Sequence, residues 1–365
     1  MRQPSGPLTI RSVRTRAVSV PMRRPLRTSA QTITHAPLLL IDLQTHQGVV
    51  GRSYLFCYLA SAAGALAAMV AECAGELKDG PVAPVDIGLQ LAKHFRLIGH
   101  RGITNMATAG IDVACWDALA IAADQPLALL LGAQPRPIQA YNSNGLGLGD
   151  IDGLATEAGE LAERFGAVKL RLGRPDPAAD LAAVRSVRRA LPSGAHLMVD
   201  YNQALSGPVA LDRCRPLDDE GVYWIEEPIR HDDYLGCAAL ANRLDTPIQI
   251  GENFQGPTAM AQSLAHRASD FVMPDLERIG GVTGWVRAAA LAAAQDVPVS
   301  SHLFPEVSAH LLAATPSAHW LEYVDWASPI LQEPLQIVGG QSVVPERPGH
   351  GMVWDEGAVA TYALA

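Results

Sequence analysis

The rhythm of apolar and polar positions changes near residue 136. Before it, short or alternating apolar runs from Leu8 to Val18, Pro37 to Leu43 and Val49 to Tyr54 are closed by turn residues such as His46-Gln47-Gly48. That is the pattern of an antiparallel meander. Between the first two runs, Pro21 to His35 is polar and aperiodic, and reads as a long functional or disordered loop. Ala60 to Leu77, Leu89 to Ile98 and Thr104 to Gln125 are helical by composition, with Gly132 as a stop. Strands followed by segregated helices predict an α+β domain over residues 1–135, after a loose tail at Met1 to Gly6.

From Arg136 strands and helices alternate. The expected strands are Ile138 to Tyr141, Ala167 to Leu170, His196 to Val199, Val222 to Ile225, Ile248 to Ile250, Phe271 to Met273, Val297 to Ser300 and Trp320 to Tyr323. Helices such as Pro177 to Leu191 and Thr283 to Gln295 separate them. Eight strands in this rhythm predict an α/β barrel over 136–330. The Gly- and Pro-rich chain at 331–365 is expected to pack back on the first domain and complete it.

Acidic residues recur at the ends of three consecutive barrel strands: Asp200, Glu226 and Glu252, 26 residues apart each time. Parallel strands joined by helices put their C-terminal ends on one face, so the three carboxylates should converge. They repel one another unless a cation lies between them, and oxygen ligands suit a hard divalent ion, Mg2+ first. The second strand offers Lys169 and Arg171 on one face, because residues two apart on a strand point the same way. The sixth, seventh and eighth strands offer Asp275, His302 and Glu322. A metal with cations on one side and Asp, His and Glu on the other suits removal of a proton from the carbon next to a carboxylate, through a stabilised enolate. His302 is the candidate base, with Asp275 fixing its tautomer. A protonated Glu322 would donate a hydrogen bond to the carboxylate oxygens, and Lys169 would neutralise their charge. His310 and His319 read as structural.

Composition removes other classes. A net charge of -9 and a pI near 5.6 argue against nucleic acid as a partner. The uncharged run Ser53 to Ala71 is too rich in Ala, Ser and Gly to predict a membrane span, so a cytoplasmic enzyme is expected. Five cysteines, an odd number without a CxxC pair, read as free buried thiols in a reducing compartment. Gly145-Leu146-Gly147-Leu148-Gly149 lacks the GxGxxG spacing of a nucleotide loop.

The chain resembles the enolase superfamily, and within it the mandelate racemase and muconate lactonizing enzyme group, most closely the mandelate racemase side. The resemblance rests on Val199-Asp200-Tyr201-Asn202-Gln203, Trp224-Ile225-Glu226-Glu227-Pro228, Gly251-Glu252-Asn253, Met273-Pro274-Asp275, Ile279-Gly280-Gly281-Val282-Thr283-Gly284-Trp285 and Ser300-Ser301-His302-Leu303-Phe304. It implies an α+β capping domain on a (β/α)7β barrel and Mg2+ held by Asp200, Glu226 and Glu252. It also implies a His302-Asp275 dyad as one base, Glu322 as acid to the carboxylate, and Lys169 as its electrostatic partner. Asn202 and Ser143 are implied as polar contacts to metal and substrate. Leu26, Ala30, Ile33, Phe56, Tyr58 and Leu303 are implied as the apolar wall of the substrate pocket. The family's habits suggest a homo-oligomer acting on a small hydroxy acid, by racemisation. One departure bears on that reaction: the resembled group has Lys-x-Lys on the second strand, its second lysine the base for the face opposite histidine, and here that position is Arg171. Guanidinium has a reference pKa of about 12.5 to 13.8, so a neutral arginine near pH 7 would cost roughly 6 units, or about 8 kcal/mol. Dehydration of an acid sugar with His302 as the sole base is therefore the alternative, and a metal-binding barrel without turnover a third. Arg23, Arg24 and Arg27 in the polar stretch could receive a second carboxylate or a polar sugar tail.

Overall fold

The computed structural model describes residues 6–364, so that most of the expected N-terminal tail lies outside the described residues. Strands β1 (Ile10–Arg27), β2 (Thr32–Thr45) and β3 (Val50–Phe56) form an antiparallel sheet in chain order. The loop expected over Pro21 to His35 is instead the end of a long hairpin, in which only residues 28–31 turn and Thr28 N–H donates to Gln31 O at 3.0 Å. Pro21 and Pro25 hide the strand in the sequence. Its register slips between Pro21 and Leu26, which accommodates residues unable to donate to the ladder.

Helices α1 (Ala60–Leu77), α2 (Pro84–His94) and α3 (Ile103–Ala122) cover this sheet. Among the described residues α1 is the one helix long and apolar enough to cross a membrane. It buries Ala63, Leu66, Val70, Cys73 and Leu77, spaced by three and four, against the sheet and α3. α2 begins at Pro84, where proline suits the first turn, and not at Leu89. α3 lies between cap and barrel and is buried on most sides. Its Asp112 accepts from Thr283 N–H (3.0 Å) and Thr283 Oγ1–H, capping the barrel helix Gly281–Ala293.

The barrel strands are β4 (Ile138–Asn142), β5 (Ala167–Arg171), β6 (His196–Asp200), β7 (Val222–Glu226), β8 (Ile248–Ile250), β9 (Phe271–Val272) and β10 (Leu321–Tyr323). They run parallel in order, and β10 closes on β4. This is a (β/α)7β barrel with an α+β cap. The strand expected over Val297 to Ser300 is reduced to single bridges, Val299 with Val272 and with Ala318. Pro298 has no N–H to continue a ladder there. Beyond residue 330 the chain divides its contacts. The hairpin of β11 (Gln336–Val338) and β12 (Gln341–Val343) adds to barrel strand β4. The following segment returns to the cap, where Trp354 Nε1–H donates to Asp42 Oδ1 at 2.7 Å and Leu364 N–H to Ala17 O at 2.9 Å. All five cysteines are free and buried.

Candidate active site

Strand register assembles the acids. Arg171 pairs with Asp200 and Asp200 with Glu226 across neighbouring strands, so these side chains emerge side by side from the barrel's C-terminal end. Glu252 follows β8 after Gly251, whose φ of 140° favours glycine. A Cβ there would lie 2.8 Å from the Met273 backbone nitrogen. Ligand oxygens of Asp200, Glu226 and Glu252 lie within 4.8 Å of one another.

Lys169 sits beneath them, its Nζ 2.7 Å from Glu226 Oε1, 2.8 Å from Glu322 Oε1 and 3.4 Å from Asp200 Oδ2. Lysine, Asp200, Glu226 and Glu322 are all at most 1% exposed, so one ammonium faces more carboxylates than it can neutralise. The surplus shows in Glu226, pushed up to about 8 by burial, with Lys169 pulling against it and Asp200, Glu322 and Glu252 adding to it. Burial opposes the charge of Lys169, yet the same carboxylates raise it. A dry cluster of hard oxygen donors with unbalanced negative charge fits a divalent cation such as Mg2+. Asn202 frames the cluster, its N–H and Nδ2–H donating to Asp200 at 2.7 and 2.9 Å. Its buried Oδ1 has no partner among the described residues. Arg278 Nη1–H donates to Glu252 O (3.2 Å) and Asn253 Oδ1 (2.7 Å), while Asn253 Nδ2–H donates to Glu227 and to Glu252 Oε1.

Across the pocket His302 Nδ1 lies 2.6 Å from Asp275 Oδ2, and its Nε2 lies 3.3 Å from Glu252 Oε2. Asp275 Oδ1 also accepts from the N–H groups of Glu277 (2.8 Å) and Arg278 (3.1 Å), so the carboxylate cannot turn away from the imidazole. Burial disfavours charge on His302, but Glu252 and Glu322, then Asp275, raise it to about 10. A cation that neutralises Glu252 withdraws the strongest of those attractions. Against the effect of burial, Lys169 and His302 hold the Glu322 carboxyl well below the usual range, and its Oε2 accepts the Leu303 N–H at 2.8 Å.

The cavity between cap and barrel has a volume of about 240 Å3. Leu26, Ala30, Ile33, Phe56, Tyr58 and Leu303 line it as expected from the resemblance, beside Lys169, Arg171, Asp200, Asn202, Glu252, His302 and Glu322. Ser143 does not line it: the residue is buried behind Arg171 and its Oγ accepts from Nη2 at 3.3 Å. Arg23, Arg24 and Arg27 do not enter it either. They line an outer groove, where Arg24 pairs with Glu157 and Glu160 and Arg23 lies 3.9 Å from Asp325. The sequence reading missed Arg278, Trp326, Gln203 and Gln31, which also line the cavity. For Arg278 a signal existed: Asp275 caps the short helix Leu276–Ile279, which carries its third residue back toward the strand ends.

Residues 10–132 match the family model of the mandelate racemase/muconate lactonizing enzyme N-terminal domain, and residues 153–358 that of the enolase C-terminal domain-like family. Among solved structures, an enolase from alpha proteobacterium bal199 with bound magnesium is 45% identical. It covers 98% of this chain and 100% of its own, with a TM-score of 0.96. An enolase from Bradyrhizobium complexed with magnesium and mandelic acid is 42% identical, covers 99% and 100%, and has a TM-score of 0.94. The L-talarate/galactarate dehydratase of Salmonella typhimurium is 32% identical over 89% of this chain and 82% of its own length.

Proposed function

Since the chain belongs to the mandelate racemase/muconate lactonizing enzyme family of enolase-like proteins, we propose that it removes the α-proton of a small 2-hydroxy carboxylate with His302 as the only base, and that a β-hydroxyl then leaves as water. One observation carries the choice of a single base. Arg171 Nη1–H donates to the carbonyls of Ser143 (3.1 Å) and Gly145 (3.0 Å) and Nη2–H to Ser143 Oγ, so the guanidinium is anchored as a cation on the side where a second base would stand.

Asp200, Glu226 and Glu252 would hold Mg2+, and two similar enolases have been crystallised with magnesium. When bound, the ion supplies neutralising charge for the carboxylate oxygens as the carbon acid ionises. Lys169, freed from part of its carboxylate neighbourhood, pairs with the substrate carboxylate from the opposite side. An anionic substrate beside Glu322 adds repulsion to its burial, raises its pKa and lets it donate a hydrogen bond to the same oxygens. His302 Nε2 takes the α-proton while Asp275 steadies the imidazolium through Nδ1–H. The same imidazolium then protonates the departing β-hydroxyl, so the proton taken leaves as water and the enol product tautomerises to a 2-keto acid. Atoms and charge balance without a further reactant.

The acid sugar dehydratase among the relatives supports this reading, as do Gln31, Gln203 and Arg278 on the cavity wall. A second reading, racemisation of an aryl hydroxy acid, is favoured by the apolar wall of Leu26, Ile33, Phe56, Tyr58 and Trp326 and by the mandelic acid bound to the Bradyrhizobium enolase. Incubation with panels of acid sugars and aryl hydroxy acids, scored for 2-keto acid formation and for loss of optical rotation, separates the two. The proposal expects keto acid from at least one acid sugar and none from His302→Asn. Racemisation of an aryl acid with no keto acid from any sugar would overturn it.

A further inference from the structure

The glycine-rich turn Gly145-Leu146-Gly147-Leu148-Gly149 is no nucleotide loop, yet the structure gives it a role that also explains Arg171. Leu146 is fully buried with φ of 43°, a left-handed conformation that side chains rarely adopt. Two contacts fix it. Its carbonyl accepts from Arg171 N–H at 2.9 Å, and its own N–H donates to Glu157 Oε2 at 3.1 Å. The Arg171 side chain completes the hold from below through the carbonyls of Ser143 and Gly145. On its outer side the turn seats the hairpin of β1 and β2. Leu148 N–H donates to Arg27 O at 2.9 Å, and Gly147 passes so near that a Cβ would lie 2.8 Å from Arg27 Cβ and 2.9 Å from its carbonyl oxygen. Arg27 adjoins the hairpin residues Leu26, Thr28, Ala30 and Gln31 that line the cavity.

We propose that Arg171 is a positioning residue for the pocket's cover: it locks the 143–149 turn, and the turn holds the tip of the β1–β2 hairpin over the substrate. The planar guanidinium is suited to this because one nitrogen reaches two carbonyls while another meets a hydroxyl. An ammonium on a shorter stem cannot span the same set. Substituents distal to the carboxylate would then be gripped by a cover whose seat is set at strand β5, not by the cover's own arginines.

Hydrogen–deuterium exchange of the whole protein, read by mass spectrometry, tests this without any substrate. In Arg171→Met, amides of both 143–149 and 24–31 should exchange about tenfold faster or more, the effect of losing a charge-assisted hydrogen bond, while the cap helices keep their protection. Arg171→Lys should give the same pattern at smaller amplitude, and carries the test if the methionine variant does not fold. Gly147→Ala, with Arg171 intact, should loosen 24–31 only. With any accepted substrate it should raise KM about tenfold and leave kcat within a few-fold, the split expected of lost uniform binding. Unchanged exchange at 24–31 in folded Arg171 variants would overturn the proposal, and would do so whether or not His302 is the sole base.

Discussion

Asp275 serves two masters with one carboxylate, the imidazole of His302 at Oδ2 and the first turn of helix Leu276–Ile279 at Oδ1. Replacing it with asparagine keeps an acceptor for one partner but not a charged acceptor for both, so the imidazole loses its fixed tautomer. Asp275→Asn should lower turnover about 10- to 100-fold, the usual effect of removing a group that orients a working histidine, with Tm nearly unchanged. Steady-state kinetics beside a thermal melt checks this, and full activity would show that Asp275 is a cap only. At this scale the sequence was most informative where side-chain direction follows from strand geometry. Asp200, Glu226 and Glu252 end consecutive parallel strands, and their convergence needs only that rule. It was least informative where a partner decides the direction: Ser143 faces Arg171 rather than the cavity, and Arg278 reaches the site from a four-residue helix whose one sequence signal is its Asp275 cap.

Among the elements, the helix Pro305–Ala313 carries the clearest pH signature. His310 Nδ1 accepts the Ala128 N–H at 3.2 Å and Nε2 lies 3.2 Å from His350 O. Burial lowers its pKa from the ordinary 6.5 to about 3. The unfolded chain therefore binds a proton below pH 6.5 that the folded chain refuses until about pH 3. The stability this neutral histidine contributes is complete above pH 6.5 and is lost as pH falls from there, by at most about 1.4 kcal/mol per pH unit. Urea unfolding at pH 7 and pH 5 should show a smaller acid loss in His310→Asn than in the unmodified protein. Equal losses would show that His310 takes its proton without cost. Elements were legible where a helix has a regular apolar stripe, as α1 does with bounds matching those expected. They were not where prolines interrupt alternation, as in the β1–β2 hairpin, or where bridges never grow into a ladder, as around Val299.

On the scale of the whole molecule, the cavity exists only because cap and barrel meet. Leu26, Ile33 and Phe56 come from the cap sheet and the charged groups from the barrel strands, and Glu277 Oε2 accepts the Phe56 N–H at 3.0 Å across the boundary. A cation among Asp200, Glu226 and Glu252 binds the folded state alone. Mg2+ at 100 times its Kd should therefore stabilise the protein by about 2.7 kcal/mol. Glu252→Gln should abolish most of that stabilisation while leaving the metal-free melt nearly unchanged, since the charge it removes both repels Asp200 and Glu226 and attracts His302. Differential scanning calorimetry with EDTA and with Mg2+ reads both, and an undiminished Mg2+ shift in Glu252→Gln would move the ion elsewhere. Fold class was readable from the apolar rhythm of both domains, and family from motifs at several barrel strand ends that agree. The reaction was not, because it turns on where one guanidinium is anchored.

That anchoring is tested most directly by α-proton exchange in D2O, followed by proton NMR on the two C2 epimers of an accepted hydroxy acid separately. With His302 as the only base, the epimer whose hydrogen faces the imidazole should lose its α-signal at least about a hundredfold faster than the other, the low end of what a positioned base contributes. His302→Asn should erase that fast exchange. Equal exchange of both epimers by the unmodified protein would contradict the account, since a second base would then be working on the face where Arg171 stands.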